Sequence, residues 1–183
     1  MNLQDSITIF LEKHTEGLEG LAVKDLKLNF EKLTSSSILS EDELCLLLAA
    51  LGKTLEFSNL QMLGVELANS IQIPHEQINE ALQIPAIMGM LNTYYKFRFF
   101  AERNDTKAVT DYGTPGLRMN SLAKPLMGKE KFELISLAVS ILNSCEKCVV
   151  SHEKAVMDLG VNRSKIHEFM KLTAVAKGLK HLR

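Results

Sequence analysis

Apolar residues recur at helical spacing along nearly the whole chain, and strand-like alternation is almost absent. Ser6 to Glu16 reads as one helix, stopped near Gly17 and Gly20, and Val23 to Leu33 as a weaker second. The sharpest signal begins at Ser40, which forms a capping box with Glu43, each satisfying the other's free N–H. Leu44, Leu47, Leu48, Leu51 and Leu55 then follow as one apolar stripe. Cys45 lies about 100° off that stripe and reads as a bystander on its flank. A further helix covers Leu60 to Ala68.

Pro74 suits the first position of a helix ending at Leu82, and Pro85 begins a separate one. That second helix, Pro85 to Ala101, carries Met88, Leu91, Tyr94, Tyr95, Phe97 and Phe99. It is apolar nearly all round, which predicts a central position or a subunit interface. Asn104 to Asn120, with Asp111, Gly113, Pro115 and Gly116, reads as a loop and not a helix. Loops of such length are often functional or lie at an interface. Lys129 to Leu142 is a second very apolar helix. Asn143 and Ser144 interrupt it and offer capping oxygens for a helix from near Cys145 to Leu159, stopped by Gly160. Asn162 can cap the last helix, Ser164 to Leu179, with Lys171, Lys177 and Lys180 complementing the dipole at its end.

The expected fold is all-α, with residues 1–183 forming one domain. Met90-Leu91-Asn92-Thr93-Tyr94 echoes Ile141-Leu142-Asn143-Ser144-Cys145 and suggests an internal two-fold helical repeat. Chance similarity between two apolar helices would give the same match. On that alignment Tyr94, Phe97 and Ala101 stand where Cys145, Cys148 and His152 stand in the second half.

Composition narrows the partners. The 46% hydrophobic content is that of a globular protein, and a net charge of −1 gives no reason to expect nucleic acid. The Tyr94 to Phe100 aromatic run lacks a basic groove beyond Lys96 and Arg98, so it reads as packing and not base stacking. No apolar run is long enough to span a membrane, and the first residues do not resemble a secretory signal, so the expected location is cytoplasmic. Three cysteines are too few for a disulfide framework. In a reducing compartment they are inert, metal-bound or redox-active.

Cys145, Cys148 and His152 stand at i, i+3 and i+7, within an arc of about 60° on one helix face. A helix N-terminus stabilises a thiolate, and Lys147 adds a nearby cation. Two thiols three residues apart can close a disulfide once one is oxidised. Glu133 sits among Phe132, Leu134, Ile135, Leu137 and Ala138. If buried, its pKa should rise toward that of a general base. Alternatively it shares an exposed face with Ser136 and Ser140. His14, His75, His167 and His181 have no comparable register with the cysteines. The same CxxC and histidine could supply three ligands to zinc, but no second CxxC or HxxxH completes a closed site.

The run from Phe132-Glu133-Leu134 through Asn143-Ser144-Cys145-Glu146-Lys147-Cys148 to Ser151-His152-Glu153 resembles the alkyl hydroperoxidase D (AhpD) family, part of the carboxymuconolactone decarboxylase-like group. Pro115-Gly116-Leu117-Arg118-Met119-Asn120 and Ala86-Ile87-Met88-Gly89-Met90, with Asn92 and Tyr95, extend the resemblance, as do Leu28-Asn29 and Ser36-Ser37. It covers roughly residues 28 to 178. The resemblance implies an all-α homotrimer acting as a lipoyl-dependent peroxidase, an antioxidant enzyme without haem, flavin or metal. It implies that Cys148 is the peroxidatic residue, oxidised to a sulfenic acid, and that Cys145 is the proton donor and resolving thiol. It further implies a proton relay through His152 and Glu133. Electrons would come from an external dihydrolipoyl group on a partner protein and could pass through Cys148 to a peroxiredoxin. One position departs: family members place a histidine just before the second cysteine, where this chain has Lys147. Lysine can favour a thiolate but is a poor proton shuttle near pH 7. Two other readings stand beside this one: a zinc-stabilised CxxC interaction module, and a non-redox carboxymuconolactone decarboxylase-like enzyme.

Overall fold

The computed structural model describes residues 2–183. The main helices are α1 (Leu3–Thr15), α2 (Leu21–Thr34), α3 (Glu41–Thr54), α4 (Ser58–Ser70), α5 (His75–Asn104), α7 (Lys129–Leu142), α8 (Glu146–Asp158) and α9 (Arg163–Lys180). A single turn, α6 (Ala108–Asp111), and a 3-10 turn (Asn120–Leu122) lie between α5 and α7. No strand occurs among the described residues. The all-α expectation therefore holds.

The helix ends follow the sequence closely. The capping box at Ser40 forms, with the Ser40 N–H donating to Glu43 Oε2 at 2.9 Å. Asn162 caps α9 by accepting from the Lys165 N–H at 2.9 Å. Helix α3 is buried from Glu43 through Gly52, and α7 from Phe132 through Ser140. These two are the central rods: α4, α5, α8 and α9 pack against one or both of them, and α1 and α2 lie farther out, on α4 and α9. Helix α4 lies close against α3: a Cβ on Gly52 would sit 2.2 Å from the Gln61 nitrogen, and one on Gly64 would sit 2.3 Å from the Ala49 nitrogen. Only glycine permits backbones to approach so closely.

Three expectations change. Pro85 does not start a helix but lies inside the 30-residue α5. An interior proline loses a hydrogen bond and costs about 3 kcal/mol. Burial of Ile78, Ala81 and Ile84 before it and of Met88 and Leu91 after it offsets that cost, and the helix continues through it. Of the two positions expected for the aromatic half of α5, central or at a subunit interface, the central one is ruled out, because Phe97 and Phe100 are exposed. The segment between α5 and α7 is irregular as expected, except for the α6 turn. It is tied to α5 by Arg98, which donates to the carbonyls of Val109 and Gly113, and by Glu80, which accepts from the Leu126 and Met127 N–H groups.

The sequence echo is not accompanied by repeated local structure. Met90 to Tyr94 lies within α5, whereas Ile141 to Cys145 forms the corner between α7 and α8.

Candidate active site

The site is built on that corner. Helix α7 ends at Asn143, and Ser144 then takes a left-handed conformation at φ 55°. Cys145 follows as the N-cap of α8 in an extended conformation. Asn143 and Ser144 do not cap the new helix, contrary to the sequence reading. The tight turn leaves the capping position to Cys145, whose side chain makes no capping bond. Its N–H donates to the Ser140 carbonyl at 3.1 Å, and its carbonyl accepts from the Val149 N–H at 2.9 Å.

Cys145 and Cys148 are joined by a disulfide, with Cα atoms 5.3 Å apart. Both cysteines belong to the first turn of α8, where free N–H groups and the helix dipole favour negative charge on sulfur. They differ in access. Cys148 lines a cavity of about 380 Å³, and Cys145, 1% exposed, lies behind it. Leu91, Tyr95, Met119 and Leu122 give the cavity apolar walls, and His152 and Asn92 supply polar groups. A larger groove of about 760 Å³, between the first half of α5 and the segment before α7, contains none of the predicted site residues. Its volume is therefore not a guide to the chemistry.

His152, two turns along α8 from Cys145, is buried. Its Nδ1 lies 2.6 Å from Glu133 Oε2 on α7, and Lys129 Nζ lies 2.9 Å from Glu133 Oε1. Glu133 is 5% exposed, and Ser136 and Ser140 on the same helix face are buried too, so the exposed-face alternative is excluded. Burial pushes the Glu133 carboxyl up, but the hydrogen bonds and charges of His152 and Lys129 outweigh it and hold the pKa below its ordinary value. The expectation of a raised pKa is thus corrected: burial came with two donors. An ionised carboxylate can only accept, so Nδ1 carries the hydrogen. In the neutral ring, Nε2 is then free to take up a proton.

Lys147 stands at the cavity rim, but its ammonium pairs with Glu102 near the end of α5 and lies 5.5 Å from the centre of the Phe99 ring. Much of its charge is balanced there by the Glu102 carboxylate. Cys45 is buried in α3 and remote in role; burial, then Glu41 and Asp42, push its thiol up to about 12. Its place on the flank of the leucine stripe is thus a buried one, where the thiolate is disfavoured.

The structure thus brings Cys145, Cys148, His152 and Glu133 together and directs Lys147 toward α5. The three stretches of family resemblance converge on the cavity: Asn92 and Tyr95 from the first, Met119 from the second, Cys148 and His152 from the third. Sequence reading missed Lys129 as the second partner of Glu133, although their i, i+4 spacing was visible. Glu102 and Phe99 gave no such signal, because only the fold brings them to Lys147.

Residues 114–183 match the carboxymuconolactone decarboxylase family. The chain is 38% identical over 157 residues to "Alkyl hydroperoxide reductase AhpD" of Mycobacterium tuberculosis, which covers 85% of each protein. The protein of the same name from Mycobacterium ulcerans is 38% identical over 159 residues, or 85% of this chain and 84% of that one. The one from Mycobacteroides abscessus is 35% identical over 156 residues, covering 85% of this chain and 86% of that one. With a cysteine pair at a helix start and this extent of similarity, the chain belongs to the alkyl hydroperoxide reductase AhpD family.

Proposed function

We propose that the protein is a thiol-dependent hydroperoxide reductase cycling between the Cys145/Cys148 dithiol and their disulfide. The observation that carries this reading is that Cys148, the disulfide sulfur that reaches the cavity, shares it with a histidine oriented by a buried carboxylate. In the reduced protein the Cys148 thiolate attacks the terminal oxygen of ROOH. The O–O bond breaks, Cys148 becomes a sulfenic acid, and a proton supplied to the alkoxide releases ROH. Cys145, one turn away, attacks the sulfenic sulfur, forming the disulfide and releasing water. A dihydrolipoyl group then reduces the disulfide by thiol exchange and leaves as its own cyclic disulfide.

His152 is the proton carrier in this scheme. Glu133 fixes its tautomer and holds the ring in place. The relay runs through these two residues, with Lys147 confined to modest electrostatic support. The apolar cavity walls suit an organic hydroperoxide. The lipoyl group would be presented by a partner protein, and an oxidised peroxiredoxin is a further acceptor for electrons from Cys148. We place the reaction in the cytoplasm and the enzyme in a homotrimer, with the exposed Phe97 and Phe100 of α5 at the subunit contact. Among the described residues no helix is long and apolar enough to cross a membrane.

The zinc-module reading needs Cys145, Cys148 and His152 as ligands. Here the two sulfurs are bonded to each other and His152 Nδ1 is held by Glu133. The decarboxylase-like reading does not need the cysteines, so a double Cys145→Ser/Cys148→Ser variant would keep its activity. The deciding experiment is a thiol count by mass spectrometry after one equivalent of cumene hydroperoxide, followed by dihydrolipoamide. Loss of two hydrogens at Cys145 and Cys148, restored by dihydrolipoamide, is expected. Thiols that stay reduced would refute the peroxidase reading.

A further inference from the structure

The corner that carries Cys145 is closed by backbone hydrogen bonds from the Ser144 and Cys145 N–H groups to the Ile141 and Ser140 carbonyls, at 3.0 and 3.1 Å. Ser144 occupies the left-handed region, unfavourable for a residue with a side chain, and Cys145 makes no side-chain cap. The side-chain support comes from α5. Asn92, 1% exposed, donates through Nδ2 to Ser140 Oγ at 3.1 Å and accepts through Oδ1 from Asn143 Nδ2 at 2.9 Å. One turn further along α5, Lys96 Nζ donates to the Asn143 carbonyl at 3.0 Å. The Ser140 carbonyl accepts the Cys145 N–H. One side chain of α5 therefore grips the last turn of α7 at both Ser140 and Asn143, immediately before the cysteine. Asn92 also lines the cavity that reaches Cys148 and His152.

We propose that Asn92, supported by Asn143 and Lys96, is a positioning residue for Cys145. It holds the corner in register for disulfide formation while the couple is reduced. This inference rests on the dithiol cycle proposed above. With the clamp intact, closing the disulfide demands little reordering of the chain. Without it, the reduced corner gains freedom that the disulfide must remove, so the disulfide becomes less favoured. A residue that only stabilised the fold would lower the melting temperature without shifting this equilibrium.

The test equilibrates the full-length protein with mixtures of dihydrolipoamide and lipoamide and reads the Cys145–Cys148 disulfide by mass spectrometry. Asn92→Leu should shift the equilibrium toward the dithiol by about tenfold, the size of one or two net hydrogen bonds, or ~30 mV. Asn143→Ala, at a half-exposed position, should shift it the same way and supplies the answer if Asn92→Leu fails to fold. The double variant should shift it no further than the larger single change, because both break one network. Equilibria within twofold of wild type for the variants that fold would overturn the positioning role. That result is distinct from a wild-type protein showing no reversible couple, which would refute the dithiol cycle itself.

Discussion

Replacing Glu133 with glutamine keeps the shape of the side chain and removes its charge. Two donors face the carboxylate, His152 Nδ1 on one oxygen and Lys129 Nζ on the other. An amide offers only one oxygen. Lys129 is 44% exposed and can turn to water, so the loss that matters falls on His152. If the amide oxygen stays on Nδ1, the bond loses its ionic partner; if the NH2 group faces it, the ring is driven to the wrong tautomer. A hydrogen bond to a charged group is worth about 1.5–3 kcal/mol, so Glu133→Gln should slow peroxide reduction about 10- to 150-fold at pH 7. The assay is single-turnover loss of cumene hydroperoxide by the pre-reduced protein, with circular dichroism to verify the fold. Stability supplies a second reading. The Glu133 pKa is lowered on folding, so its ionised form contributes stability above the ordinary carboxylate range, and that contribution is lost as pH falls through the folded pKa. Melting temperatures of wild type and variant should differ most near neutrality and converge in acid. A folded Glu133→Gln protein within twofold of the wild-type rate would refute the relay.

Other consequences can be checked separately. With a pKa of about 12, Cys45 should be only about 0.01% thiolate at pH 8, so iodoacetamide should label Cys148 in the native reduced protein at least about 100-fold faster; comparable labelling would contradict its burial. Gly64→Ala forces a Cβ against the Ala49 nitrogen and the Cys45 carbonyl, at 2.3 and 2.9 Å. Overpacking against backbone should cost about 3 kcal/mol and lower the melting temperature by about 6–12 °C, and an unchanged melt would disprove the close α3–α4 contact. Lys147→Ala should leave the disulfide cycle intact and slow peroxide reduction less than about fivefold, because a half-exposed pair with Glu102 contributes under about 1 kcal/mol. A loss as large as that of Glu133→Gln would restore Lys147 to the relay.

Much of the molecule is legible in the sequence. Helical periodicity, the Ser40–Glu43 box and the Asn162 cap are local devices, whose partners lie within one turn of each other, and they appear where the chain places them. The register of Cys145, Cys148 and His152 is likewise a property of one helix. Pro85 was misread because a local rule for helix breaking was overridden by packing on both sides of it. The Glu133 pKa was misread because its direction depends on which donors another helix and the preceding turn bring to the buried carboxyl. Lys147 offered a charge beside sulfur in the sequence, but Glu102 and Phe99, distant along the chain, set where that charge goes. The clamp from Asn92 to Ser140 and Asn143 was equally invisible, since no spacing rule links residues on separate helices. Apart from α5 and the short α6, sequence alone determined which helices form and which face holds the thiols, because backbone geometry repeats every turn. The tertiary fold alone decided which sulfur meets the cavity, which carboxylate orients the histidine and what steadies the corner, because those depend on how helices approach one another.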